Sequence, residues 1–432
     1  MFDTFKRAFQ SKDVRKKIFY TLMILVVYRL GSAIPVPFLD PSVMSEVINQ
    51  PGSFLGLLNL FTGGGLAQAT LFAMSITPYI NASIIVQLLT VAIPALEKMQ
   101  KEGEEGRKKL NQITRYLAVA LGLIQAIGYY FLLLTNDAVT PGANTFDTIF
   151  MAVVIIITFT AGTAFIFWLG ERINEKGIGN GISIILFTGI ISRAPSAISS
   201  MVDMWNLGVA GQWQYFIYVP LIVIIFIAMI VFIVLLNESE RRIPVQYAKR
   251  VVGRKMYGGQ NSHIPVKLIM SGVMPIIFAS AILSIPSMIA GFLNLEPGTF
   301  WYGFFSVFNY DSWGYAIIYF ILIIAFNFFY VAIQYNPIEI ANNIRKNNGA
   351  IPGIRPGKPT SEYIGRVIWK IAMAGALCLG VIAIFPIVFT MLTGTNIALG
   401  GTSIIIIVGV ALETVRALES QLTMQRHKGF LE

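Results

Sequence analysis

The stretch Gly353-Ile-Arg-Pro-Gly-Lys-Pro-Thr360 gathers glycines, a lysine and a threonine, the inventory of a phosphate-cradling loop. Its spacing departs from Gly-x-x-x-x-Gly-Lys-Ser/Thr, and Pro359 follows the lysine where the loop needs a hydroxyl residue. The chain therefore does not hydrolyse nucleotide by itself, and energy, if needed, comes from a partner. No His-Glu-x-x-His run and no Gly-x-Ser-x-Gly elbow beside a histidine is present. His263 and His427 lie outside the apolar runs, and the single cysteine, Cys378, lies inside one. One thiol makes neither an intrachain disulfide nor a thiolate cage, so no metal, cofactor or enzymatic activity is expected. Apart from the basic clusters at segment boundaries, the charges inside apolar segments are Arg29, Arg193 and Glu413, all toward segment ends. Ion-coupled carriers usually bind their ion on carboxylates or histidines at mid-membrane. The lack of such groups weighs against a carrier, although sodium sites built from backbone carbonyls stay open.

The elements that position these residues follow from composition. Of 432 residues, 55% are hydrophobic and only 12% charged, about half the charge of a soluble domain; the mean hydropathy is +0.69. A soluble enzyme, a disordered chain and a collagen-like fibre are excluded. Apolar segments occur near 18–37, 68–95, 115–135, 148–169, 182–201, 216–237, 267–292, 314–335, 366–391 and 398–416. At about 20 residues per span, the spacing predicts ten transmembrane helices, because backbone amides in hydrocarbon must be satisfied within their own segment. The first run lacks a small-residue cleavage site and is expected to be retained.

Of the 32 lysines and arginines, 30 fall before the first span, after spans 2, 4, 6 and 8, or after the last. The positive-inside rule then places both termini in the cytoplasm. Ten spans divide five and five, and an odd number per half inverts one half relative to the other, with a pathway between them. Residues 53–62 are apolar but reach only about 15 Å as a helix, and Gly63, Gly64 and Gly65 follow at once. Such a segment is either a re-entrant plug or an interfacial helix. The loops 238–267 and 336–365 are basic, and Val251–Gly259 reads as a short hairpin. Arg241, Arg242, Lys249, Arg250, Arg254 and Lys255, with Arg345, Lys346, Arg355 and Lys358 in the second loop, suit phosphate groups or an acidic protein surface. They equally suit the positive-inside rule alone.

Several motifs have a family look: Tyr28-Arg-Leu-Gly-Ser-Ala-Ile-Pro-Val-Pro37, Met74-Ser-Ile-Thr-Pro-Tyr-Ile-Asn-Ala-Ser-Ile-Ile-Val-Gln-Leu88, and Trp168-Leu-Gly-Glu-Arg-Ile-Asn-Glu-Lys-Gly-Ile-Gly-Asn-Gly-Ile-Ser183. Arg242-Ile-Pro-Val-Gln-Tyr-Ala-Lys-Arg250, Ile351-Pro-Gly-Ile-Arg-Pro-Gly357 and Gly400-Gly-Thr-Ser403 follow in order. In this order and spacing the chain closely resembles the SecY family of protein-translocation channel subunits, over essentially its whole length. The resemblance implies an all-α, ten-helix clamshell with an hourglass pore that conducts unfolded polypeptides and opens sideways into lipid. It divides the chain into a cytoplasmic N-terminus (1–17), a first half (18–201, with a plug at 53–65), an external hinge (202–215), a second half (216–416) and a cytoplasmic C-terminus (417–432).

The plug residues would be Phe54, Leu57, Leu58, Leu60, Phe61 and the three glycines. By resemblance the pore ring maps to Ile76, Ile80, Ile182, Leu186, Ile277 and Ile406, with Leu186 in place of the usual isoleucine. The pairs 76/80 and 182/186 are each spaced for one helix face, and an aliphatic constriction disfavours water and ions. Isoleucine abounds in every span, so the ring rests on the family match. The sideways gate lies between spans 2 and 3 and spans 7 and 8. Asn81 and Gln125 match its polar positions, Gln87 is either a further gate residue or packing polarity, and Ile269 stands where an asparagine is usual. Pro78, Pro275 and Pro286 remove backbone hydrogen bonds and would permit bending. Arg355, between prolines and glycines, matches the family's critical arginine for the ribosome and the SecA motor. The implied partners are SecE, SecG, SecA, the ribosome, signal peptides, nascent polypeptides and lipids, in a bacterial plasma membrane. A secondary carrier of inverted-repeat type is the alternative, and a structural scaffold a third class.

Overall fold

The computed structural model describes residues 6, 8–48, 59, 62–140, 144–247, 250–252, 255–257, 261–293, 299–309, 312–393 and 401–428. Helices dominate. The first group is α1 (Lys12–Gly31), α2 (Pro41–Ile48), α3 (Thr77–Ala92), α4 (Pro94–Lys101), α5 (Glu104–Thr135), α6 (Thr145–Lys176), α7 (Gly181–Ile191) and α8 (Ala194–Val209). The second is α9 (Tyr215–Glu238), α10 (Met274–Leu293), α11 (Phe300–Ser306), α12 (Trp313–Gln334), α13 (Pro337–Lys346), α14 (Lys358–Thr393) and α15 (Gly401–Lys428). Between α9 and α10 come β1 (Glu240–Tyr247), β2 (Arg250–Val252), β3 (Lys255–Tyr257) and β4 (Asn261–Lys267); β5 (Gly349–Ala350) follows α13.

A helix occupies part of each of the ten apolar segments. Among the described residues, six helical stretches are by themselves long and apolar enough to cross a bilayer: α5, α6, α7 with α8, α9, α12 with α13, and α14. The pair α3 and α4 passes only when joined, and it is bent by 102°. Pro94 opens α4 and Ile93 between them is extended, so the bend sits where the proline removes a donor.

Three expectations need correcting. The second apolar segment is helical only from Thr77, because Ala69 and Ser75 take positive φ and residues 62–76 form a chain of turns. That chain is tied to the end of α1 by Val36 N–H to Ala69 O and Leu71 N–H to Ile34 O, both 2.9–3.0 Å. The fifth segment is two helices broken at Ser192–Arg193, and α8 runs to Val209, so the expected hinge 202–215 is largely helical. Pro78 lies in the first turn of α3 and Pro275 in the first turn of α10, where the backbone N–H has no intrahelical partner to lose. Of the three prolines offered as bending points, only Pro286 is inside its helix.

The turns of 62–76 press against α6. A β-carbon on Gly162 would stand 2.0 Å from the Leu71 carbonyl oxygen, so the two backbones approach as closely as only glycine permits. Gly162→Ala is expected to cost about 1–3 kcal/mol by overpacking, read as a lower temperature of detergent-solubilised unfolding; an unchanged transition would refute the contact. Outside the spans, Asp40 accepts the Ser42 amide at 3.0 Å and its hydroxyl at 2.6 Å. The hydroxyl bond first, and the amide bond with it, hold the carboxyl below its ordinary value.

Among the described residues, α8 packs on α9 where the groups are joined in sequence, and two further seams bring them together. On one side α10 packs on α3 and α5; on the other α15 packs on α1 and α7. At one end of the bundle, β1 pairs antiparallel with β4 from Glu240↔Lys267 to Gln246↔Asn261. It also pairs with β5 through Gln246↔Ala350 and Tyr247↔Gly349. The expected hairpin is present as β2 and β3, at the tip of a longer ribbon that composition did not signal. Ile243 and Val245 are buried in alternation on β1, packed with Ile344, Ile351 and Ile364.

An aliphatic waist and a polar clasp

All six residues assigned to the ring fall in one apolar cluster, drawn from α1, α3, α6, α7, α10 and α15. Ile76, Leu186 and Ile406 are buried within it, and Ile80, Ile182 and Ile277 are partly buried against it. Local structure explains each placement. Ile76 caps α3, and its carbonyl accepts the Ile80 N–H at 3.1 Å, stacking the two side chains one turn apart. Asn180 caps α7, its side-chain oxygen accepting the Ile182 amide at 3.1 Å and the Ser183 amide at 3.5 Å. That cap fixes the register that presents Ile182 and Leu186 together. Ile277 comes one turn into α10 and Ile406 one turn into α15. Ile80, Ile182, Leu186 and Ile277 also line a cavity of about 60 Å³ bounded by Asn180, Ser83 and Gln87. The aliphatic cluster therefore carries a small polar-edged chamber on one side.

Beyond the far end of α7 lies the glycine turn. Gly63 has φ +67°, and a β-carbon there would meet the Ser192 hydroxyl at 2.6 Å and the Gly189 carbonyl at 2.9 Å. Arg29 and Arg193 border the same turn: a β-carbon on Gly63 would stand 3.1 Å from the Arg29 guanidinium, and one on Gly64 3.0 Å from that of Arg193. These are the two cations outside the basic clusters, and no spacing along the chain signals that they border one turn. Asn59 is buried, and its side-chain oxygen accepts the Ala67 amide at 3.0 Å. Phe54, Leu57, Leu58, Leu60 and Phe61 lie outside the described residues.

Across the first seam, the Tyr330 hydroxyl on α12 donates to the Gln87 side-chain oxygen on α3 at 2.7 Å. The Gln87 amide in turn donates to the Ser83 hydroxyl at 3.2 Å. Tyr330 is 8% exposed and packs on Phe278 of α10, ring centroids 5.2 Å apart. Gln87 therefore bridges the seam, and Tyr330 is a member that sequence reasoning missed; a tyrosine in an apolar span carries no spacing signal for a partner 243 positions away. Asn81 is buried on α3 and Gln125 half-buried on α5, while Ile269 is buried among the second group's core residues.

The cations gather at the sheet end. Arg241, Arg242, Arg345, Lys346, Arg355 and Lys358 are exposed, and the Arg242 guanidinium donates to Glu240 at 2.8 Å. Arg250 and Lys255 lie on β2 and β3; Lys249 and Arg254 lie outside the described residues. Pairing of β1 with β5 puts the two basic loops on one surface. Around Arg355 the backbone is fixed: its carbonyl accepts the Thr360 hydroxyl at 2.9 Å, and Gly353 and Gly357 take φ of +80° and +108°.

A model of the SecY family matches residues 70–415. The chain is 45% identical to a protein translocase subunit SecY of Streptomyces scabiei, with all of both chains covered. It is 41% identical to the subunit of that name in Mycobacterium tuberculosis, again over the whole of both. Among solved structures the fold is similar to that of a protein conducting channel, with a TM-score of 0.66 at 18% identity over 94% of this chain and 92% of that one. It is also similar to Sec61 in the canine ribosome–channel complex from the endoplasmic reticulum, with a TM-score of 0.61 at 17% identity over the same shares. At those identities the structures speak for the fold, and the full-length relatives speak for descent. With the match running from Thr70 to Val415 and the relatives aligned end to end, this chain belongs to the SecY family.

Proposed function

We propose that the chain is the channel-forming subunit of a protein translocase, passing unfolded secretory polypeptides across a bacterial plasma membrane and releasing membrane segments sideways. The observation that carries the reading is the convergence of Ile76, Ile80, Ile182, Leu186, Ile277 and Ile406 in one cluster. Six aliphatic side chains offer a passing chain no tight binding site and exclude water and ions at a narrow point. Residues 53–65 act as the plug, with the glycine turn seated at the end of α7. The relatives are translocase subunits, which sets the carrier reading aside. Both termini and the sheet end face the cytoplasm, where the exposed cations follow the positive-inside rule.

The test is a stalled secretory chain in the assembled translocase, with cysteines at Ile80 and Ile182. Crosslinks from the translocating segment to both positions are expected; crosslinks only to outward-facing positions would overturn the channel reading.

The seam between α3 and α5 on one side and α10 and α12 on the other serves as the lateral gate, and the Gln87–Tyr330 bond is its clasp. Interhelical hydrogen bonds in membranes average about 0.6 kcal/mol and rarely exceed about 2, weak enough for an arriving signal helix to break. Tyr330→Phe is expected to lower the apolarity a signal segment needs for insertion, and Gln87→Leu to do the same. The double variant should add little to either single change, since both remove the same interhelical bond. Additive shifts would refute the clasp.

SecA and the ribosome engage the exposed cations of the joined basic loops; the likeness to Sec61 of a ribosome–channel complex supports the ribosome as a partner. SecE and SecG complete the assembly. An apolar groove of about 400 Å³ between α1, α7 and α15, lined by Leu22, Leu25, Phe187, Val410 and Leu418 among others, suits the side chains of a partner's hydrophobic helix.

A further inference from the structure

The helix α11 spans only seven residues, about 10 Å, a third of the hydrocarbon thickness. None of its residues is buried. Phe300 is 79% exposed and Trp301 56%, and Tyr302 and Phe304 are exposed beside them. From Thr299 to Asn309 the chain holds six aromatic residues and no charged one. The rings lie against one another, Phe304 with Phe305 at 5.3 Å and with Phe308 at 5.6 Å. Phe308 packs inward on the second group's core, while the rings of Phe300, Trp301, Tyr302 and Phe304 stay exposed among the described residues. Exposed to water, such area would cost about 25 cal/mol per Å².

The position of α11 says what covers it. It joins the ends of α10 and α12 remote from the basic sheet, since β4 leads into α10 and α13 and β5 follow α12. Exposed apolar stripes on both helices run up to it: Ile285 and Ile289 on α10, and Trp313, Ile317 and Ile321 on α12, the latter spaced one turn apart. Those stripes face acyl chains, and α11 continues them at the level where the spans end. The turn after it is tied to α12, with the Ser312 hydroxyl donating to the Val307 carbonyl and accepting the Tyr315 amide at 3.0 Å.

We propose that α11 is an interfacial membrane anchor, seated in the headgroup–acyl boundary of the leaflet opposite the basic surface. Tryptophan and tyrosine favour that depth, with an apolar ring body and a polar tip. The lack of lysine and arginine makes its occupancy independent of anionic lipid, unlike a basic amphipathic helix. The anchor holds the connector between α10 and α12 at the membrane surface. When α10 moves against α3 and α5, α11 must therefore slide within the boundary and not lift from it.

The experiment uses the assembled translocase in vesicles of phosphatidylcholine, with and without phosphatidylglycerol. A nitroxide is attached at Trp301→Cys or, separately, Phe304→Cys, each in a Cys378→Ala background. Collisional access to oxygen is expected to exceed access to a water-soluble nickel chelate several-fold at each site, equally in both lipids. A label at Lys358→Cys gives the aqueous reference. Nickel access equal to that reference would overturn the proposal, as would exclusion of both reagents, which would mean a covering protein. Dependence on phosphatidylglycerol would overturn the charge-independent seating. The two labels are read separately, so one variant that fails to assemble leaves the other decisive.

Discussion

Ile406→Asn is expected to raise the ion leak of the resting translocase by about tenfold or more and to allow export of proteins with defective signal sequences. Ile406 is 1% exposed, in the same apolar cluster as the other five waist residues. Burying an amide there without partners costs about 1–3 kcal/mol on mutational scales, and the closed state bears that cost. An opened or wetted waist hydrates the amide and escapes it. Each 1.4 kcal/mol shifts the closed-to-open ratio by about tenfold, so even the lower part of the range approaches that factor. Ile277→Asn should have a smaller effect, because Ile277 is already partly exposed to the 60 Å³ chamber. Ile406→Val should be close to neutral, since it keeps the apolar wall and removes one methylene. The leak is measured as dissipation of an ion gradient in vesicles, and export with a signal-sequence-defective reporter. Equal leak in wild type, Ile406→Asn and Ile277→Asn would remove the ring assignment.

Arg355→Glu is expected to reduce SecA-driven translocation by at least about tenfold while assembly stays intact. The side chain is exposed, so its loss leaves no buried group unpaired. The backbone around it is held by the Thr360 bond and two glycines with positive φ, which presents the guanidinium in one place without further ordering cost on binding. A charge-assisted hydrogen bond contributes about 1.5–3 kcal/mol, and reversal adds repulsion from any acidic partner. Arg355→Lys keeps the charge but loses the planar fork, and should fall between. The readout is protease-protected substrate in vesicles supplied with SecA and ATP. Near-normal translocation by Arg355→Glu would refute the role.

Much of this could be read along the chain. The 76/80 and 182/186 spacings put each pair on one face, because helical periodicity is local. The Ile93–Pro94 bend follows from a missing donor, and the membrane class from long apolar runs with few charges. What periodicity could not give was which faces meet. Isoleucine is so common in these spans that nothing in the residue type separates Ile406 from its neighbours Ile404, Ile405 and Ile407. The clasp required α12 to lie beside α3, and the joined basic surface required β5 to pair with β1; both are contacts between residues far apart in sequence. The early start assigned to the second apolar segment failed for a related reason. Residues 68–76 are apolar enough for a helix, but tertiary hydrogen bonds with Ile34 and Val36 and the close approach of Gly162 hold them in turns.

The amino-acid sequence by itself determined the solvent this protein lives in, the clustering of its cations between alternate apolar segments and the presence of a helix within each of those segments. Those outcomes depend on transfer free energies and backbone hydrogen bonds satisfied within a few residues. Tertiary structure alone decided that six aliphatic side chains from α7, α10, α15 and α3 with its cap fall in one apolar cluster and that Tyr330 reaches Gln87. Between helices in a membrane, apolar faces are nearly interchangeable with lipid, so close backbone approach and a few polar bonds, distributed over the whole chain, select the arrangement.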